Sequence, residues 1–165
     1  MSLRVITDHI RSTVFLLADG VIPSNEGRGY VLRRLLRRAA RHGRLLGING
    51  PFLYQVVDTV VKENHTAYPE LAQKQSYLEK IILTEEENFD RTLNKGLELL
   101  TQLIDKAEEQ GLSTLAGEDA FHLYDTFGFP IDLTREIASE KGLSIDETAF
   151  GTLMEHQKEV ARQAR

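Results

Sequence analysis

Apolar positions recur every three to four residues along most of the chain. Over residues 4–19, Val5, Ile6, His9, Ile10, Thr13, Phe15, Leu16 and Leu17 share the spacing of one helical face, and Gly20 ends the run. The stretch Gly20-Val21-Ile22-Pro23-Ser24-Asn25-Glu26-Gly27 reads as a turn-rich loop. A second helix is predicted over about Arg28–Leu46, with Gly43 and Gly47 marking its exit. A third is predicted over roughly Pro51–Glu63, proline being tolerated in a first turn. From Pro69 to about Gln110 the pattern is long, charged and helical. Leu71, Leu78, Ile81, Ile82, Phe89, Leu93, Leu97, Leu100 and Ile104 mark its apolar side, and Thr84 and Gly96 are candidate breaks, leaving one helix or two.

Gly117 then precedes a short helix, Glu118 to Thr126, closed by Gly128 and Pro130. Asp132 is the expected cap of another, ending near Lys141 and Gly142, and Ser144 or Asp146 starts a last one running to Arg165. No strand, repeat or low-complexity linker is evident. The expected fold is all-α, a multi-helix bundle of about six to eight helices in one domain or two packed subdomains. Its expected divisions are basic helices over 1–68, a long helical segment over 69–116 and C-terminal helices over 117–165.

Composition narrows the function. The 165 residues are 41% hydrophobic, too many for a disordered chain, and can bury about 70% of their unfolded surface. No apolar run approaches the ~18–20 residues of a membrane span, and the amino terminus lacks a secretory pattern, so a cytoplasmic setting is expected. Zero cysteines exclude a disulfide framework and a thiolate nucleophile. The net charge of −5 argues at first against a nucleic-acid partner.

The distribution of charge argues the other way. Residues 1–50 hold nine arginines against Asp8, Asp19 and Glu26, a formal +6; the remainder carries −11. Between Arg28 and Arg44 lie seven arginines and no acid. Arg33, Arg37, Arg41 and Arg44 fall on one helical face, with Arg34 and Arg38 in a neighbouring row. Arginine suits forked hydrogen bonding to phosphate. Four to six such contacts would give RNA binding a log–log salt slope of roughly −3 to −5. The alternative is a solvated face whose arginines pair with the acidic remainder of the same chain.

Two polar segments stand out. In Pro23-Ser24-Asn25-Glu26-Gly27-Arg28-Gly29-Tyr30-Val31-Leu32-Arg33-Arg34 a glycine-rich turn feeds the arginine helix, and Gly27 and Gly29 are expected to let backbone approach a ligand closely. It is no phosphate-binding P-loop, since no strand precedes it and no Gly-Lys-Ser/Thr follows. In Leu123-Tyr124-Asp125-Thr126-Phe127-Gly128-Phe129-Pro130 the plain reading makes the aromatics core and Asp125 the cap of a turn.

Together with Arg4-Val5-Ile6-Thr7-Asp8-His9-Ile10-Arg11-Ser12, these segments resemble alanyl-tRNA synthetases. The likeness is to their middle helical tRNA-recognition region, between the class II aminoacylation core and the editing domain. Tyr68-Pro69-Glu70-Leu71 and Glu85-Glu86-Glu87-Asn88-Phe89 fit the same region, so the resemblance covers essentially residues 3–165.

The resemblance implies that Asn25 and Asp125 read the G·U wobble pair of the tRNA(Ala) acceptor stem. Arg28, Arg33, Arg34, Arg37, Arg38 and Arg41 are the accompanying tRNA-binding candidates. It further implies a parent enzyme using ATP and magnesium in its catalytic domain and zinc in its editing domain. Those domains would be partners within the same chain.

None of these cofactors is expected in these residues. The class II sheet motifs are missing, and position 69 is Pro69 where a histidine pair begun by His65 would need its second member. His9, His42, His122 and His156 are scattered, which suits surface or core roles better than metal ligation. No catalytic residue or metal ligand is therefore assigned. A chain entering a helix directly after Met1-Ser2-Leu3 and ending inside another reads as a segment of a longer protein. The rival function is a helical protein-interaction module whose arginine face meets acidic protein and has no RNA role.

Overall fold

The computed structural model describes residues 1–163. They form seven helices and one short strand pair: α1 (Ser2–Ala18), α2 (Gly27–Leu45), α3 (Leu53–Asn64), α4 (Glu70–Glu109), β1 (Thr114–Leu115), α5 (Gly117–Phe127), α6 (Ile131–Ser139), β2 (Ser144–Ile145) and α7 (Glu147–Gln163). The mostly helical architecture agrees with the apolar spacing. The strands depart from it: β1 and β2 pair in parallel, Thr114 with Ser144 and Leu115 with Ile145. Two residues apiece are too short to leave a period-two signature.

The chain divides into two compact units, Met1–Asp90 and Arg91–Arg165, with α4 contributing to both. In the first unit α1 buries Ile6, Ile10, Thr13, Val14 and Leu17, α2 buries Leu32, Leu36 and Ala39, and α3 buries Leu53, Val57, Val60 and Val61. Leu71, Leu78 and Ile82 of α4 complete that core. In the second unit the buried side chains include Leu93, Leu100, Ile104, Leu115, Leu123, Phe129, Leu133 and Phe150.

Several expected boundaries move for identifiable reasons. α4 runs unbroken through Thr84 and Gly96. Gly96 is a seat rather than a break, because a Cβ there would lie 2.4 Å from Cε2 of the buried Phe129. α3 begins at Leu53, two residues after Pro51, where the Glu86 carboxylate accepts the N–H groups of Phe52, Leu53 and Tyr54 at 2.9, 2.8 and 3.0 Å. A distant acid therefore satisfies donors that a local cap usually takes.

Asp132 does not cap α6. Pro130 occupies the cap position, and Asp132 Oδ1 instead accepts from Arg135 Nη1 at 2.6 Å. Asp146, not Ser144, caps α7 by accepting the Ala149 N–H at 3.0 Å. The expected continuation of that helix to Arg165 lies outside the described residues. Among the described residues, no helix is long and apolar enough to cross a membrane.

Candidate nucleic-acid interface

The loop carrying Asn25 is set by how closely it lies on α2. Ser24 Oγ donates to the Glu26 carbonyl at 2.8 Å, and Gly27 enters the helix at φ +57°. A Cβ on the buried Gly29 would stand 2.2 Å from Ser24 Oγ and 2.3 Å from the Ile22 carbonyl. The close approach at Gly29 is thus made by the chain's own loop, where the sequence had suggested a ligand. Asn25 and Arg28 are both exposed.

The six arginines of α2 beyond Arg28 have different surroundings. Arg33 donates from Nε to Glu85 Oε2 at 3.0 Å and from Nη2 to Glu85 Oε1 at 3.4 Å. Its Nη1 donates to Asn25 Oδ1. Arg37 stacks over Phe89, 5.2 Å from the ring centroid, a cation–π contact. Arg41 is buried at 5% exposure. Arg44 donates to Asn49 Oδ1 at 3.0 Å and pairs with Asp90. Three of the four arginines in the i, i+4, i+8, i+11 row therefore meet Glu85, Phe89 or Asp90, a matching stripe on α4. Arg34 and Arg38 of the neighbouring row are half-buried, and Arg38 Nη1 lies 3.5 Å from His9 Nε2 of α1.

Glu86, adjacent to this stripe, is 3% exposed. Burial pushes its carboxyl above the usual carboxylate range, against the lowering effect of the three backbone N–H groups.

Asp125 belongs to the second unit and Asn25 to the first. Asp125 sits exposed near the end of α5, and its Oδ1 accepts from Gln157 Nε2 of α7 at 2.5 Å. Gly128 closes α5 in the left-handed region at φ 67°. Of the aromatics around Asp125, Phe129 is buried, whereas Tyr124 and Phe127 are half-buried. Tyr124 meets Phe150 of α7 edge-on at 5.9 Å. A Cβ on Gly117 would lie 2.5 Å from the Phe150 nitrogen, so glycine permits α5 and α7 to approach. Gln157 can then reach Asp125.

Sequence reasoning missed Glu85, Glu86, Asp90 and Gln157 as organisers of these segments. A signal existed for Glu85 and Asp90. Glu85 and Phe89 share an α4 face at i, i+4 spacing with Asp90 flanking it, acid and aromatic positions that suit the arginine row. Nothing in the sequence marks Gln157. Among the described residues, no group of three His, Cys, Asp or Glu side chains could hold a metal ion. His42 is buried, with Nδ1 3.0 Å from Ser2 Oγ.

The chain can be compared with known proteins. A family described as tRNA synthetases class II (A) matches residues 1–165. Alanine–tRNA ligase 1 of Lachnoclostridium phytofermentans is 58% identical over 165 residues, covering 100% of this chain and 19% of that protein. The alanine–tRNA ligases of Clostridioides difficile and Caldicellulosiruptor saccharolyticus are each 57% identical over the same 165 residues, again 100% of this chain and 19% of theirs. The chain thus spans about a fifth of the length of these curated relatives.

Proposed function

The chain belongs to the tRNA synthetases class II (A) family, and from that premise we propose that it is the tRNA-recognition region of an alanine–tRNA ligase. Its task is to dock the acceptor stem of tRNA(Ala) for ATP-dependent alanylation by a class II catalytic domain elsewhere in the same cytoplasmic protein. The observation that carries this reading is the 58% identity with an alanine–tRNA ligase across all 165 residues.

The chemistry is consistent with it. A-form RNA exposes base edges and 2′-hydroxyls in a wide, shallow minor groove. A G·U wobble leaves the guanine 2-amino group there without a pairing partner. Asp125, an acceptor, takes that donor, and Asn25 addresses a neighbouring base edge or 2′-hydroxyl. Arg28, Arg34 and Arg38 supply phosphate contacts. Arg33 and Arg37 act in the same binding surface while engaged with α4, whereas Arg41, only 5% exposed, is too buried to meet phosphate and drops out of the set.

Binding of two acceptor-stem hairpins, identical except for G·U or G·C at the wobble position, tests this. Tighter, salt-sensitive binding to G·U is expected, with the preference reduced in Asn25→Ala and Asp125→Ala. Equal and salt-independent binding of both hairpins overturns direct readout. The Arg33–Glu85 and Arg44–Asp90 pairs favour a second reading, in which the arginines serve protein surfaces alone. Failure of immobilised RNA or heparin to retain the protein at low salt would support it.

A further inference from the structure

An asparagine side chain is asymmetric: one end of its carboxamide accepts hydrogen bonds and the other donates them. An exposed asparagine that turns freely offers either end and selects poorly between donors and acceptors. Asn25 is exposed, yet its Oδ1 is taken by Arg33 Nη1. A guanidinium carries five donors and no acceptor, so only the oxygen of the amide can face it. The NH2 must therefore point away from Arg33.

Arg33 is itself held. Its Nε and Nη2 fork onto both carboxylate oxygens of Glu85, at 3.0 and 3.4 Å. The side chains of the pair are 22% and 13% exposed, so the contact is largely shielded from solvent. The planar fork fixes the guanidinium, which leaves Nη1 aimed at the loop. The sequence of contacts runs from α4 through α2 to the loop between α1 and α2, all within the first unit.

We propose that Glu85 and Arg33 are positioning residues that hold Asn25 with its carboxamide NH2 turned outward, so that this loop offers its partner a hydrogen-bond donor. The assignment rests on the reading of Asn25 as an RNA contact and sharpens it. The group Asn25 selects is an acceptor of the minor groove: guanine N3, a pyrimidine O2 or a ribose 2′-oxygen. Asp125 requires no such orientation, because its two carboxylate oxygens are chemically equivalent.

The orientation is measured first without RNA, by side-chain amide relaxation of Asn25 in the 165-residue chain, with the exposed Asn94 as reference. Asn25 is expected to be more ordered than Asn94 and to lose that order in Glu85→Gln. Asp90→Asn is the control, since it removes a second α2–α4 ion pair without touching Arg33, and it should leave the Asn25 amide ordered. An Asn25 amide as mobile as Asn94, or one equally loosened by both variants, overturns the proposal.

The donor role is measured as the ratio of G·U to G·C hairpin affinities. Glu85→Gln should lower that ratio about threefold to tenfold without changing the salt slope, because phosphate contacts are untouched. Asn25→Asp, which keeps an oxygen toward Arg33 but removes the outward donor, should abolish the Asn25-dependent part of the ratio. A ratio unchanged in Asn25→Asp overturns donor presentation. A wild-type chain with no preference at all overturns the functional reading, while the amide relaxation still decides the positioning.

Discussion

The loop that bears Asn25 and the helix end that bears Asp125 are held by different means. In the first unit charge is drawn inward: Glu85 grips Arg33, Asp90 pairs with Arg44, and buried Glu86 closes the start of α3. Around Asp125 in the second unit the fit is steric. Phe129 seats on Gly96, Gly117 lets α7 approach, and Asp125 is met by a single amide from Gln157. The difference follows from the side chains being held. A carboxamide has two unlike ends and must be oriented before it can discriminate, whereas a carboxylate presents an acceptor either way round.

The sharpest way to break this comparison is at Glu86. Glu86→Ala strands three N–H groups at the start of α3 and should cost about 3 kcal/mol of stability, read as a lowered urea midpoint. Glu86→Gln, which keeps an acceptor, should cost less. A loss below about 0.5 kcal/mol in Glu86→Ala would mean that this carboxylate is no anchor of the first unit.

Gly29→Ala comes next and acts on the loop that bears Asn25. The new Cβ cannot coexist with the Ile22 carbonyl and Ser24 at their present positions, and relief of such a clash costs about 1–3 kcal/mol. The loop should shift and the G·U preference should fall, with Asp125-dependent binding retained. Full preference in Gly29→Ala would show that loop placement is not critical.

Gln157→Ala probes the opposite half. Because the Asp125 oxygens are equivalent, the expected loss of G·U preference is about twofold, smaller than for Glu85→Gln. An equal or larger loss would erase the distinction between an amide that must be oriented and a carboxylate that need not be.

The smallest effect is in pH dependence, where Glu86 and Glu147 should differ in sign. Glu86 is raised from 4.5 by burial, so the folded state binds its proton more tightly than the unfolded one. Its contribution is greatest below 4.5 and is lost as pH rises through the raised value. Glu147 of the second unit is lowered from 4.5 by hydrogen bonding to Arg135, and its contribution is present above 4.5 and fades as pH falls through the lowered value. Urea unfolding between about pH 3 and pH 6 should become more acid-resistant in Glu147→Gln. It should become less dependent on rising pH in Glu86→Gln. Identical pH profiles in wild type and both variants would contradict the assignment.

Much of the fold was legible because helices write their buried face into the sequence. Ile6, Ile10, Thr13 and Leu17 of the expected face are buried by α1, together with Val14, which the spacing had not included. The two-residue strands had no such record. Glycine was ambiguous for a physical reason: its missing side chain can mark a break, a ligand approach or a packing seat. At Gly96 and Gly29 the structure selects the seat. The arginine pattern disclosed a basic helix, but spacing alone does not say which row turns toward the protein. That choice depends on Glu85, Phe89 and Asp90, some fifty residues away in sequence. Asn25 and Asp125 were recognisable only through their surrounding motifs. The Arg33 and Gln157 contacts that hold them are tertiary, and no local pattern announces them.

The most direct measurement follows backbone and side-chain amide shifts while the G·U and G·C acceptor-stem hairpins are titrated in turn. With G·U, residues 24–28 and 124–128 and the Asn25 side-chain amide should all respond, together with the Arg28, Arg34 and Arg38 signals. With G·C, the arginine signals should move and the segments around Asn25 and Asp125 should respond weakly. Identical maps for both hairpins, or responses that bypass Asn25 and Asp125, would contradict recognition of the wobble pair by these residues.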